Sequence, residues 1–107
     1  MREMSREELK AKLDQGENFK LVMTLGELAY QGKHIPGSLN QHEPEDLLAN
    51  LDPQEEVVVY FSDKLCSSSI MAYHFLNNRG YKNLWRYSGG LSEWEQAGYL
   101  LVGELVG

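Results

Sequence analysis

The run Val57-Val58-Val59-Tyr60 constrains this chain more than any other stretch. Consecutive β-branched residues without polar alternation read as a strand buried on both faces, as in a parallel sheet. A polar stretch follows, Ser62-Asp63-Lys64-Leu65-Cys66-Ser67-Ser68-Ser69. After it, Ile70, Ala72, Tyr73, Phe75 and Leu76 form a mainly apolar stripe at helical spacing. Gly80 suits the left-handed residue that ends such a helix. The polar stretch therefore joins the end of a buried strand to the start of a helix. Amide groups at a helix start lack intrahelical partners, so they favour an anion and tend to lower the pKa of a nearby thiol. Cys66, the only cysteine of the chain, lies in this stretch.

The flanking sequence alternates helical and extended patterns. Ser5 and Glu8 form a capping box, Leu9 and Leu13 lie one turn apart, and Gly16 ends the pattern, which predicts a helix over 6–14. Phe19 to Thr24 reads as a strand, Gly26 to Tyr30 as a short helix, and Leu39 as the start of a short strand. Gly32, Pro36 and Gly37 enforce turns between them. Pro44 suits the first turn of a further helix, with Leu47, Leu48 and Leu51 on its buried side. Asp52 to Glu55 is a turn. Asn83 to Tyr87 is another strand, followed by a tight turn at Ser88-Gly89-Gly90. Ser92 and Glu95 have capping-box spacing, Trp94 is placed on the core side, and Gly98 closes the helix. Tyr99 to Val106 has the character of an extended edge strand. Strands alternating with helices at this spacing imply an α/β domain with a mostly parallel sheet. Ligands of such sheets bind outside the C-terminal strand ends, where the Ser62 to Ser69 stretch falls.

Length and charge narrow the function classes. A chain of 107 residues is one domain, 1–107, large enough for a core without disulfide or metal staples. Its 10 basic and 16 acidic residues give a net charge of −6, which argues against nucleic acid and against an anionic membrane surface. A single cysteine forms no internal disulfide and agrees with a reducing compartment. No apolar run reaches membrane length, and the first ten residues lack the apolar core of a signal peptide. The expectation is a soluble, cytoplasmic protein.

Three landmarks occur in order: His-Ile-Pro-Gly-Ser at 34–38, the Val57 strand with its loop and helix, and Gly89-Gly90 followed by Trp94. With them, nearly the whole chain resembles the rhodanese homology domain. The resemblance implies a five-stranded, mostly parallel sheet with helices on both faces. It implies sulfur transfer, in which a loop cysteine accepts a sulfane sulfur as a persulfide and passes it to a thiophilic acceptor. Loop amides would hold the anionic sulfur. The sulfur donor and the thiol acceptor, small molecules or proteins, are the implied partners, and no cofactor is required.

The catalytic positions depart from the family pattern. The nucleophile position falls on Phe61 for a longer loop or on Asp63 for a shorter one, and neither is cysteine. Cys66 lies nearer the helix end. Lys64 is the only cation in the loop, where the family often has an arginine. The aspartate and arginine common after the first strand map onto Met23 and Leu25, and Lys33 takes a glycine position before His34. Two function classes follow. In the first, Cys66 carries the sulfur, the binding surface is Ser62, Asp63, Lys64, Leu65, Ser67, Ser68 and Ser69, and thiosulfate is a poor donor. In the second, the domain is catalytically inactive and binds a protein partner or a small anion. Phosphatase chemistry would need a cysteine at the loop start and an arginine where Ser68 or Ser69 stands.

Other candidates have plainer readings. His34 braces the turn before Pro36 rather than acting as a base. His42 and His74 have no partners at ligand spacing, so no metal site is expected. Gly89-Gly90 is a tight turn and not a phosphate loop. Trp85 and Trp94 are core or interface anchors. Glu43, Glu45, Asp46, Glu55 and Glu56 form a solvated acidic face.

Overall fold

The computed structural model describes residues 1–24, 26–40, 48–49, 51–61 and 68–106. Its elements are β1 (Glu3–Met4), α1 (Arg6–Asp14), β2 (Lys20–Met23), α2 (Glu27–Gly32), β3 (Leu39–Asn40), β4 (Val57–Tyr60), α3 (Ser68–Asn77), β5 (Leu84–Tyr87) and α4 (Gly90–Gln96). The strands form one five-stranded sheet in the order β1-β5-β4-β2-β3. Every pairing within it is parallel. β4 is central, and all four of its residues are fully buried. Burying each such aliphatic side chain contributes about 1.5–3 kcal/mol, which is why the valine run takes the middle of the sheet.

Successive side chains of a strand point to opposite faces, so the sheet carries two cores. On one face Val58, Tyr60 and Tyr87 pack with Leu9 of α1 and Trp94 of α4. On the other, Val57, Val59 and Leu84 pack with Ala72, Tyr73 and Leu76 of α3. Helices therefore cover both faces, as expected. Met23, Asn40, Tyr60, Tyr87 and Met4 are mutual register partners at one edge. The segments that leave these strands all start from that edge.

Local signals formed as the residues imply. Ser5 and Glu8 make the reciprocal capping box of α1. α3 ends in a Schellman motif: Gly80 has φ +89°, its amide donates to the Asn77 carbonyl, and the Tyr81 amide donates to the Leu76 carbonyl. Tyr81 and Leu76 belong to the same core, supplying the apolar contact that accompanies this cap.

Several expectations are corrected. The tail from Tyr99 to Val106 adds no edge strand; Val102 makes only an isolated antiparallel bridge with His34. The tail turns at Gly103 and gives its next amides, those of Glu104 and Leu105, to the carbonyls of Gln31 and Gly32 at the end of α2. The fifth strand is instead β1, beside β5. The capping box at Ser92 and Glu95 is not formed. α4 begins at Gly90, capped by Gly89 without a side-chain bond, so Ser92 lies inside the helix. Gly90, at φ +65°, lets the chain turn into the helix directly after β5. α2 runs to Gly32, two residues beyond the expected end. Leu51 is buried, but Leu48 is 40% exposed and so is not on the buried side of its helix. Pro44 and Leu47 lie outside the described residues, as do His42, Glu43, Glu45 and Asp46. Glu55 and Glu56, expected on a solvated face, are both half-buried and pair with Lys20 and Lys12. Among the described residues, no helix is long and apolar enough to cross a membrane.

Candidate functional site

The segment between β4 and α3 starts from the edge where the strands end, and both of its anchors are tightly held. At its start, the Tyr60 carbonyl accepts from the Thr24 amide at 3.0 Å and from the Thr24 hydroxyl at 3.2 Å. The Phe61 carbonyl accepts from the Leu91 amide at 3.1 Å. The neighbouring strand and the start of α4 thus clamp the chain from two sides. Phe61 itself is half-buried.

At the other anchor, Ser69 is 1% exposed and its hydroxyl accepts from Arg86 Nε at 2.9 Å. Arg86 sits on β5, opposite Val59 in register, and is 4% exposed. A second guanidinium nitrogen donates to Glu3 Oε2 at 2.8 Å. The loop sequence suggested Lys64 as its sole cation. The fold brings a second cation to the helix end of the segment from a distant strand. The signal was present in Leu-Trp-Arg-Tyr, where period-2 alternation puts the charge of Arg86 on the same face of the strand as Leu84. Lys64, Cys66 and the rest of Ser62 to Ser67 lie outside the described residues, and for Ser68 only the helical backbone is described.

The His34 to Ser38 motif is a buttress for β4. Tyr60 Oη accepts from the Ile35 amide at 3.1 Å and lies 2.8 Å from Ser38 Oγ. Burial pushes the Tyr60 hydroxyl up to about 12, although its hydrogen bonds to Ser38 and Ile35 oppose the shift. His34 stacks on Tyr30 with ring centroids 3.8 Å apart, and its Nδ1 lies 2.7 Å from the Tyr30 carbonyl oxygen. With Nδ1 bonded to backbone in this way, His34 braces the turn. Met23, onto which the resemblance maps an aspartate, is fully buried, while Leu25 lies outside the described residues. Lys33 pairs with Glu95 at 2.7 Å. Both line an apolar cleft with Leu28, Leu91 and Leu105. Leu91 is the residue that holds the Phe61 carbonyl, so this cleft adjoins the start of the candidate segment.

Trp94 is 2% exposed, and its Nε1 donates to the Leu100 carbonyl at 2.9 Å. Trp85 is half-buried with the Arg2 guanidinium 4.2 Å from its ring centroid. His74 is exposed, edge-on to Tyr73. Among the described residues, no group of three or more His, Cys, Asp or Glu side chains is placed to hold a metal ion.

The same architecture recurs in solved structures. A Bacillus halodurans protein superposes with a TM-score of 0.88 at 20% identity, over 97% of this chain and 78% of that one. The polysulfide-sulfur transferase homodimer of Wolinella succinogenes gives 0.77 at 21%, over 97% and 80%. A thiosulfate sulfurtransferase of Pseudomonas aeruginosa gives 0.83 at 23%, over 96% of this chain and 20% of that one. At these identities the likeness establishes the fold. No curated protein matches the chain significantly. The family model for the rhodanese-like domain matches residues 5–97, which spans α1 through α4 and includes all three landmark motifs. By that match, and by the sheet and helix arrangement it shares with these structures, the chain belongs to the rhodanese-like domain family.

Proposed function

We propose that this domain relays sulfane sulfur through a persulfide on Cys66. The observation that carries the reading is the clamped geometry on both sides of the Cys66 segment: Thr24 and Leu91 hold its start, and Arg86 holds the first turn of α3. Family membership supports it, since sulfur transfer is the chemistry named for the Wolinella and Pseudomonas relatives. The Cys66 thiolate attacks the terminal sulfur of a polysulfide. One S–S bond forms as another breaks, and the shortened polysulfide leaves with the electron pair. An acceptor thiolate then attacks the outer sulfur of the persulfide, and the Cys66 thiolate is regenerated. No cofactor enters this cycle.

Polysulfide or a protein persulfide suits the segment better than thiosulfate. Thiosulfate cleavage needs cations for the departing sulfite and a thiolate in line with the S–S bond. The strand-end position is Phe61, half-buried and without a thiol. The test is intact-mass analysis after exposure to polysulfide. A mass gain of one sulfur that is lost in Cys66→Ser is expected. A folded protein that takes up no sulfur, or one in which Cys66→Ser takes it up equally, overturns the proposal. The second reading, an inactive module that binds a protein or small anion, is favoured by Met23 and Phe61, apolar residues onto which the resemblance maps an aspartate and a nucleophile. Absence of sulfur loading would leave that reading standing.

A further inference from the structure

We infer that the apolar cleft between α2 and α4 is a docking site for a protein segment in which large apolar residues are flanked by lysine or arginine. The inference is independent of Cys66 and of the proposed relay. The cleft has a volume of about 340 Å³, a size that suits one or two large side chains. Leu28 and Leu105 line it and are 85% and 79% exposed. A lone exposed leucine needs no explanation, but these two converge on one cleft with Leu91 and the buried Gly32. The position of Leu105 is fixed by its backbone. The amides of Glu104 and Leu105 donate to the carbonyls of Gln31 and Gly32, each at 2.9 Å. Gly103 has φ +139°, and a Cβ there would collide with the Gly32 carbonyl, so glycine lets the tail lie this close. The tail is thus held against α2 while most of the Leu105 side chain stays in water, and burial within this chain does not account for its placement.

Charge selects the occupant. Among the described lining residues only Lys33 and Glu95 are charged, and their ion pair at 2.7 Å leaves no net charge. Glu27 and Glu104 adjoin Leu28 and Leu105 in the chain, and both are exposed. Glu27 accepts from the neutral side-chain amide of Gln31 at 3.1 Å. Among the described residues, neither Glu27 nor Glu104 pairs with a cation. An apolar patch bordered by two such carboxylates is matched by apolar side chains bordered by positive charge. A second copy of this chain would set like charges against one another, and an anionic lipid surface would be repelled by the same groups. The net charge of −6 acts in the same direction.

The test titrates the isotope-labelled protein with short peptides in which leucines are flanked by lysines, by serines or by glutamates, read by amide chemical shifts. It requires no sulfur donor, so its outcome and that of the sulfur-loading experiment are separate. The lysine peptide should bind at low salt about tenfold or more tightly than the serine and glutamate peptides, with shifts confined to α2, α4 and the tail. Leu28→Ser and Leu105→Ser, both at exposed positions, should keep the parent's melting temperature and each weaken binding about tenfold. Gly103→Ala should displace the tail and weaken binding to a similar extent. Glu27→Gln combined with Glu104→Gln should remove most of the preference for lysine. Several results overturn the inference: no binding of the lysine peptide, equal binding of the glutamate peptide, shifts centred elsewhere, or affinity unchanged in both folded serine variants. Self-association through this face, read by sedimentation, would assign the cleft to a second copy and overturn it as well.

Discussion

Thr24 grips the Tyr60 carbonyl twice, through its amide at 3.0 Å and its hydroxyl at 3.2 Å. The two residues close the ends of adjacent parallel strands, and Tyr60 is the last residue of β4 before the candidate segment. Thr24 is 6% exposed, so its hydroxyl has little water to replace this bond. Thr24→Val keeps the side-chain shape and removes the hydroxyl. Urea unfolding should show a loss of about 0.5–1.5 kcal/mol, the net worth of one such hydrogen bond. A variant as stable as the parent would show that the amide alone holds the strand end.

Trp94→Ala should cost about 3–5 kcal/mol, the usual range for a buried large aromatic. Its ring meets Tyr99 edge-on at 4.8 Å and Tyr87 at 6.0 Å, and its Nε1 holds the Leu100 carbonyl. The loss therefore combines a cavity, two aromatic contacts and an orphaned carbonyl. A melting temperature within a degree or two of the parent would contradict this account.

Tyr60 ties stability to high pH. Its folded value of about 12 lies above the unfolded 10.0, chiefly through burial. A raised folded pKa means that the stabilisation is complete below pH 10 and is lost as pH climbs from about 10 to 12. Two units correspond to roughly 2–3 kcal/mol. Tyr60→Phe should cost about 1–3 kcal/mol near pH 8, because the Ile35 amide is left unpaired. It should also flatten the fall in stability between pH 10 and 12. Equal slopes in parent and variant would remove Tyr60 as the cause.

Tyr87 offers the opposite case. Its hydroxyl is buried and has no hydrogen-bond partner among the described residues. Burial pushes its pKa well up, with the Glu93 carboxylate adding to the shift. Tyr87→Phe removes a polar group that gains nothing from the fold, so it should be neutral or stabilising by up to about 1 kcal/mol. A destabilisation above that size would reveal a partner for the hydroxyl.

Phe61→Cys tests where the nucleophile belongs. The Phe61 carbonyl is fixed by Leu91, so the backbone of a cysteine there would be held without rearrangement. Placing a thiol correctly is worth a hundredfold or more, and Phe61→Cys should raise thiosulfate:cyanide sulfur transfer at least tenfold over a weak parent. Strong thiosulfate turnover by the parent, or no gain in the variant, would contradict this placement.

Local chemistry determined much of this fold in advance. Ser5 and Glu8 make their reciprocal bonds within four residues of chain, so the bounds of α1 could be read from the sequence. The valine run placed β4 at the centre because only a strand covered on both faces buries so many branched side chains. The end of α3 followed from Gly80, whose positive φ other residues resist. The three motifs that carried the family resemblance are of the same kind, each a short stretch whose turn or periodicity is complete in itself.

Tertiary structure decided what depended on distant partners. β1 is two residues long and has no periodicity to read; it exists because Met4 pairs with Tyr87 across the length of the chain. The tail, extended in character, was drawn to the end of α2 instead of the sheet. The capping signal at Ser92 was overridden because Gly90 turned the chain into α4 sooner. Arg86 reached the first turn of α3 only when β5 came to lie beneath that helix, 17 residues away in sequence from Ser69. A sequence reports the preferences of neighbours along the chain, whereas a buried charge is placed by whichever distant groups can hydrogen-bond it.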